Sequence, residues 1–354
     1  MARIFYGLSG EGRGHATRAR AVLEHLCLDH RVTLFTYADA FDMLEPLYRG
    51  TGVEVERIGG PRFHYRGGEL DVFRTGFHGL KYATRVLPDL VDHLCDRIRA
   101  EKPKLVITDF EPALPRAARR CGVPFVSLTH QHALVVDDFS SLPARLRWYG
   151  DLLGLVVRAY YSGQVKTIVS SFYAPPLKAG VGGEAVQVGV LLRSEVLLAQ
   201  PYYNGHLVAY LRRFASDEFL DALAGCGLPV LVYGLGEGPP RGNLTFRRVS
   251  ADRFLEDLAS CEALISTAGN QLLGEALYLE KPVLAIPEPG NCEQLINAHF
   301  LKESGAGDWL PMEAVTPSGL RSFLDGLGLY RAAIRPEAVQ GTSAALRALQ
   351  PFLN

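Results

Sequence analysis

The stretch EALISTAGNQLLGEALYLEKPVLAIPEPGNCEQLINA, residues 262–298, decides the fold. A short apolar run ends in small polar residues, a helical stretch follows, and a second apolar run opens after Lys281. Continuous apolar runs alternating with helical stretches read as strands covered on both faces, as in a parallel sheet. The pattern extends outward from there. HLVAYL, PVLVYGL and LTFRRV read as strands, with SDEFLDALAGC and ADRFLEDLASC as helices between them. In the first half RIFYGL (3–8), RVTLFTY (31–37), KLVITDF (104–110) and PFVSLTH (124–130) repeat the scheme. The expected class is α/β, two doubly wound Rossmann-like parallel-sheet domains in tandem.

The Pro- and Gly-rich run APPLKAGVGG (174–183) marks the expected boundary. It gives an N-terminal domain over residues 1–180 and a C-terminal domain over residues 184–335. The tail SAALRALQPFLN reads as a last helix, and a helix within about 336–354 is expected to pack back on the first domain. The length of 354 residues, with 48% apolar and 21% charged residues, suits two ordinary globular domains. A net charge of −1 supplies no basic field for nucleic acid. The six cysteines form no C-x-x-C pair, so neither a structural metal nor a redox motif is expected, and a reducing compartment fits. Glycines interrupt the N-terminus after about six residues, too early for a signal peptide. No apolar run of about 18 residues lacks charges. The cytoplasm is the expected location.

GLSGEGRGHATRA (7–19) lies between a strand and a helix. Its glycines let the backbone approach a ligand, and the helix start offers N–H groups and a positive dipole end. The spacing Gly10-x-Gly12-x-x-His15 falls one glycine short of a dinucleotide fingerprint; Asp39, near the end of the next strand, keeps an NAD site among the readings. His15 is either a histidine satisfying backbone groups or a general base able to take a proton from a hydroxyl near neutral pH. Gly12, Arg13 and Gly14 are acceptor-side candidates. Arg13 and Arg18 suit an anionic acceptor group or plain solvated charge. Asp109, His130 and His132 fall at strand ends, where open α/β sheets bind ligands. Asp109 either orients a base or caps a helix, and the spacing leaves His15, His130 and His132 all open as the base.

In the second half, the turn Ser266-Thr267-Ala268-Gly269-Asn270, with Gln271 behind it, presents backbone N–H groups at a helix start, a site for a diphosphate. Glu275 sits in an otherwise apolar helix, where a carboxylate needs a partner; ribose hydroxyls or solvent would serve. Glu293 and Gln294 offer an acceptor and a donor to sugar hydroxyls, or Glu293 complements the helix dipole. Arg193 follows a strand and suits a pyrophosphate. Two stretches stand outside the alternation. GGPRFHYRGGELDVFRTGFHGLKY (59–82) and LPARLRWYGDLLGLVVRAYYSG (142–163) read as a loop and a packing helix, or as shaping an acceptor pocket or touching a membrane surface.

GEGRGHATRA (10–19), VGVLLRSE (188–195) and STAGNQLLGEALYLEKPVLAIP with EQLINA (266–298) resemble GT-B-fold glycosyltransferases. Within them the resemblance is to prokaryotic relatives of the N-acetylglucosaminyl transferase that makes lipid II. It spans Arg3 to about Leu310. It implies two domains facing a cleft, with a nucleoside-diphosphate sugar, usually UDP-linked, held mainly by the second. By motif position Glu275 holds the ribose, Gly269 and Asn270 meet the diphosphate with help from Arg193, and Glu293 and Gln294 contact the sugar. Arg248 and Val249 meet the base through backbone groups, and His15 lies near the reacting centre. TAGNQ lacks the histidine of the plant-type donor motif. No Asp-x-Asp pair occurs, so a metal-bridged diphosphate is not expected. The expected activity is an inverting, metal-independent transfer to an acceptor hydroxyl, with no cofactor beyond the donor. The acceptor stays open among lipid, glycan, peptide and small molecule. A nucleotide-sugar 2-epimerase enlisting Asp109, Glu111 and Glu293, and a non-catalytic nucleotide-sugar-binding protein, are the other readings.

Overall fold

The structure, a computed structural model, describes residues 1–61, 65–66, 69–70, 72–211 and 215–354. The chain divides into one unit of Met1–His64, Asp71–Ser194 and Gly341–Asn354 and another of Tyr65–Leu70 and Glu195–Gln340.

Seven parallel strands build the first unit: β1 Arg3–Leu8, β2 Arg31–Thr36, β3 Glu54–Arg57, β4 Leu105–Asp109, β5 Phe125–Thr129, β6 Lys166–Ser170 and β7 Ala185–Val188. Their order is β3-β2-β1-β4-β5-β6-β7. The order reverses between β1 and β4, and Leu8 pairs in register with Asp109 there. Such a reversal opens a crevice at the carboxyl ends of the strands. Both sheet faces are covered. Ile4, Tyr6 and Leu8 join Val22, Leu23 and Leu26 in one core, while Phe5 joins Phe35, Leu114 and Phe125 in the other. This is why β1 reads as an unbroken apolar run. The first core is completed by Ala345, Leu349 and Leu353 from the C-terminal tail.

The second unit repeats the design with six parallel strands: β8 Leu207–Tyr210, β9 Val230–Tyr233, β10 Leu244–Arg247, β11 Ala263–Ser266, β12 Val283–Ala285 and β13 Gly307–Trp309. The order β10-β9-β8-β11-β12-β13 reverses between β8 and β11. The core there gathers Leu207, Phe219, Val232, Ile265, Leu284 and Phe323.

Four strands of the two parallel sheets were absent from the sequence reading. β3 and β13 are edge strands, short and polar, as unpaired edges tend to be. At β13, Gly307 is required because a Cβ would stand 2.1 Å from the Val283 carbonyl oxygen. β6 is a five-residue strand that opens with Lys166. β7 follows the glycines read as a linker, so the first sheet runs past residue 183 and the first unit includes Arg193. Part of the 59–82 stretch, Arg62–His64, Gly67, Gly68 and Asp71, lies outside the described residues. Among the described residues no helix is long and apolar enough to cross a membrane.

Candidate active site

At the reversal in the first sheet, β1 gives way to Ser9–Gly12 and then to the helix Arg13–Asp29. Gly10 packs so tightly that a Cβ would lie 2.1 Å from the Tyr37 carbonyl oxygen, and Gly12 turns the chain with φ 78°. The Ser9 amide donates to the Asp109 carbonyl at 2.9 Å, which fastens the loop to the end of β4. No side chain caps the helix.

His15 and Arg18, three residues apart on this helix, face the same way. Both converge on Asp109, which is fully buried. Arg18 Nε donates to Asp109 Oδ2 at 2.9 Å, and His15 Nδ1 lies 3.0 Å from Asp109 Oδ1. The latter is a close contact without the alignment of a hydrogen bond. Arg18 Nη2 lies 3.3 Å from His15 Nδ1. Burial alone would raise the Asp109 pKa; the charges of Arg18 and then His15 overcome it and hold the carboxyl at about 2. Asp109 is therefore an anion at neutral pH, and His15 keeps 11% of its side chain exposed beside it. Arg18 is thus neither solvated nor a grip for an anionic acceptor; its guanidinium is committed to Asp109. Arg13 is exposed, and Gly12 and Gly14 are half-buried at the helix start.

The other two histidines differ from His15. His132 is buried, with Nδ1 2.9 Å from Ser127 Oγ and Nε2 3.4 Å from Gln164 Nε2. Burial and then Arg158 lower its pKa to about 4, the state of a neutral interior histidine. His130 is also buried, its ring edge-on to Tyr173 at 5.8 Å. Glu111 accepts from the Ala113 and Leu114 amides at 2.7 and 2.8 Å and so caps the helix Ala113–Arg120. Burial raises its pKa to about 7.

In the second unit β11 ends at Ser266, at the sheet reversal. Thr267 and Ala268 follow, and Gly269 opens the helix Asn270–Tyr278. This helix start has no side-chain cap and no acid in its first turn. Its amides are presented as an anion site would need them. Asn297 braces the turn by donating to the Ala268 carbonyl at 2.8 Å. Glu275, buried, accepts from Gln271 Nε2 at 3.1 Å, one turn away. Gln294 Oε1 accepts from the Glu288 amide at 2.7 Å, and its Nε2 donates to the Glu288 carboxylate at 3.1 Å. Gln294 therefore braces the loop in which Glu288 sits. Glu293 is half-buried in the first turn of the helix Cys292–Glu303, which Asn291 caps. Arg248 is exposed, 3.6 Å from Glu237, and Val249 is half-buried beside it.

The structure thus brings His15 and Asp109 together in the first unit and gathers Ser266, Thr267, Gly269, Asn270, Gln271 and Glu275 in the second. Arg193 is buried and belongs to the first unit. Sequence reasoning did not find Glu288 or Asn297, nor Arg18 as the partner of Asp109. The i,i+3 spacing of His15 and Arg18 is the signal that would have found Arg18. Among the described residues no three His, Cys, Asp or Glu groups cluster as a metal site.

A family model described as Glycosyl transferase family 1 matches residues 2–328. An uncharacterized glycosyltransferase of Methanosarcina mazei is 25% identical over 331 residues, covering 87% of this chain and 85% of its own. Among solved structures, LpCGTa in complex with UDP matches with a TM-score of 0.69 at 19% identity, covering 100% of both chains. The glycotransferase of kitacinnamycin matches with a TM-score of 0.68 at 16% identity, covering 100% of this chain and 99% of its own. At these identities the two structures speak to the fold, the pair of Rossmann-like domains of GT-B glycosyltransferases. By the extent of the family match, the chain belongs to glycosyl transferase family 1.

Proposed function

We propose that the protein moves a sugar from a UDP-linked donor to an acceptor hydroxyl, with inversion and without a metal ion. The observation that carries this reading is the pairing of His15 with the buried, ionised Asp109 at the sheet reversal. Asp109 orients the imidazole and balances the charge it gains. His15 takes the proton of the acceptor hydroxyl, whose oxygen attacks the anomeric carbon as the bond to UDP breaks. The helix start at Gly269, with Ser266, Thr267, Asn270 and Gln271, receives the diphosphate. Glu275 accepts from the ribose hydroxyls. Glu293 and the Gln294-braced loop face the sugar, and the backbone at Arg248 and Val249 faces the base.

Gly12, Arg13, Gly14, His130 and the neighbourhood of His132 form the acceptor side. His15 is preferred as base over His132, whose two ring nitrogens are engaged. We also infer kinship with the lipid II-forming transferases, on the motifs at residues 10–19 and 266–298. Six free cysteines fit a cytoplasmic setting. The 2-epimerase reading is weakened at Glu111, whose carboxylate is spent on capping a helix.

The test is incubation with a panel of UDP-sugars and acceptors, with UDP release and product configuration followed by NMR, with and without EDTA. The reading predicts acceptor-dependent UDP release, an inverted anomeric centre and indifference to EDTA. Epimerised donor in the absence of acceptor, or donor bound and never turned over, would replace it with one of the two alternatives.

A further inference from the structure

The helix Ala144–Tyr160 carries two apolar faces where the fold uses one. Leu146, Gly150, Gly154 and Val157 are buried against the first unit. That face is already filled: a Cβ on Gly154 would stand 2.7 Å from the Leu134 carbonyl oxygen. On the opposite face Trp148 is 61% exposed, Leu152 45%, Leu155 64% and Val156 47%. At 100° per residue these four fall within one stripe. An apolar stripe turned to solvent contributes nothing to the core.

Charge surrounds the stripe with a definite sign. Helical spacing sets Arg147 and Arg158 on one flank and Arg145 at the N-terminal end of the stripe, in line between Leu152 and Val156, all exposed. Lys178 rims the adjoining groove of about 430 Å³, lined by Trp148, Leu152, Leu155 and Arg158. The one acid of the helix, Asp151, lies 3.6 Å from Lys178 and is balanced by it. Three arginines to one aspartate is a local excess in a chain whose net charge is −1. Long arginine side chains flanking a Trp- and Leu-bearing stripe are the arrangement of a helix lying in a membrane interface, rings and aliphatic groups inward, guanidinium groups at the phosphates.

We propose that this face of the first unit docks on an anionic phospholipid bilayer, with Trp148, Leu152, Leu155 and Val156 entering the acyl boundary and Arg145, Arg147 and Arg158 paired with lipid phosphates. The last residue of the helix, Tyr160, stacks at 4.6 Å on Phe110, the neighbour of Asp109. Docking therefore sets the lipid surface within one helix length, about 25 Å, of the His15–Asp109 pair.

Flotation of the full chain with phosphatidylglycerol/phosphatidylcholine vesicles, and with phosphatidylcholine alone, tests it at two salt concentrations. Binding to the anionic vesicles is expected, falling at higher salt. Arg145→Glu with Arg158→Glu should reduce it by at least about fivefold per site. Trp148→Ser with Leu155→Ser should reduce it at least about tenfold, with circular dichroism reporting that the fold is kept. Absence of binding, equal binding to neutral vesicles, or a concentration-dependent dimer abolished by Trp148→Ser and Leu155→Ser would each overturn the proposal, the last by assigning the stripe to a second copy.

Discussion

At the scale of single residues Asp109 is a charge where the interior has no water to solvate one. Arg18 and His15 supply the compensation, so the carboxylate stays ionised down to about pH 2. Asp109→Asn keeps the shape and removes the charge. It should lower turnover about 10²- to 10⁴-fold while leaving UDP affinity within about twofold, measured as kcat beside calorimetric Kd. Asp137 shows the opposite electrostatics. It is buried, Gln187 donates to its Oδ1 at 3.0 Å, and Oδ2 has no hydrogen-bond partner. Burial raises its pKa to about 7. A folded-state value above the unfolded one means its contribution is present at low pH and lost as pH rises through about 7. Asp137→Asn should therefore leave melting unchanged at about pH 3.5 and raise Tm relative to the parent by an amount that grows between about pH 4 and pH 7 and is full at pH 8. A Tm difference independent of pH would show that Asp137 is not neutral in the fold.

Among the elements, the central strands were legible because both sheet faces are covered, which forces unbroken apolar runs such as Ile4–Leu8 and Ala263–Ile265. The edge strands β3 and β13 were not, because partial exposure admits Glu54, Arg57 and Asp308, and a polar four-residue strand reads like a loop. β7 was hidden behind glycines that also mark linkers. The candidate site was half legible. His15, Asp109 and the turn at Gly269 stand at strand–helix junctions, which sequence spacing locates. Pairing across elements is not written in spacing, so the Asn297 brace, the Gln294–Glu288 clasp and the Arg18–Asp109 pair needed coordinates. Gly154 is the most constrained helix position to test. Gly154→Val should push the helix Ala144–Tyr160 off Leu134 and destabilise the first unit by about 1–3 kcal/mol in urea unfolding. Wild-type stability would mean the helix yields freely there.

For the whole molecule, two units share one design, each a parallel sheet with the order 3-2-1-4-5-6 at its heart. The chain visits the first, builds the second and returns: Gly341 donates to the Val190 carbonyl at 2.9 Å, Thr342 bonds Leu192, and Leu349 completes the first core. Leu349→Ala should cost about 2–5 kcal/mol and lower the unfolding transition of the first unit in calorimetry, leaving that of the second in place. The proposed placing of the donor in the second unit is tested most directly by isothermal titration of UDP into three proteins. The parent should bind. His15→Ala should bind with unchanged affinity, since that residue is proposed as the base and not as a donor ligand. Glu275→Ala should lose at least about tenfold, the carboxylate being the expected ribose acceptor. UDP affinity indifferent to Glu275→Ala, or abolished by His15→Ala alone, would contradict the assignment of the donor to the second unit.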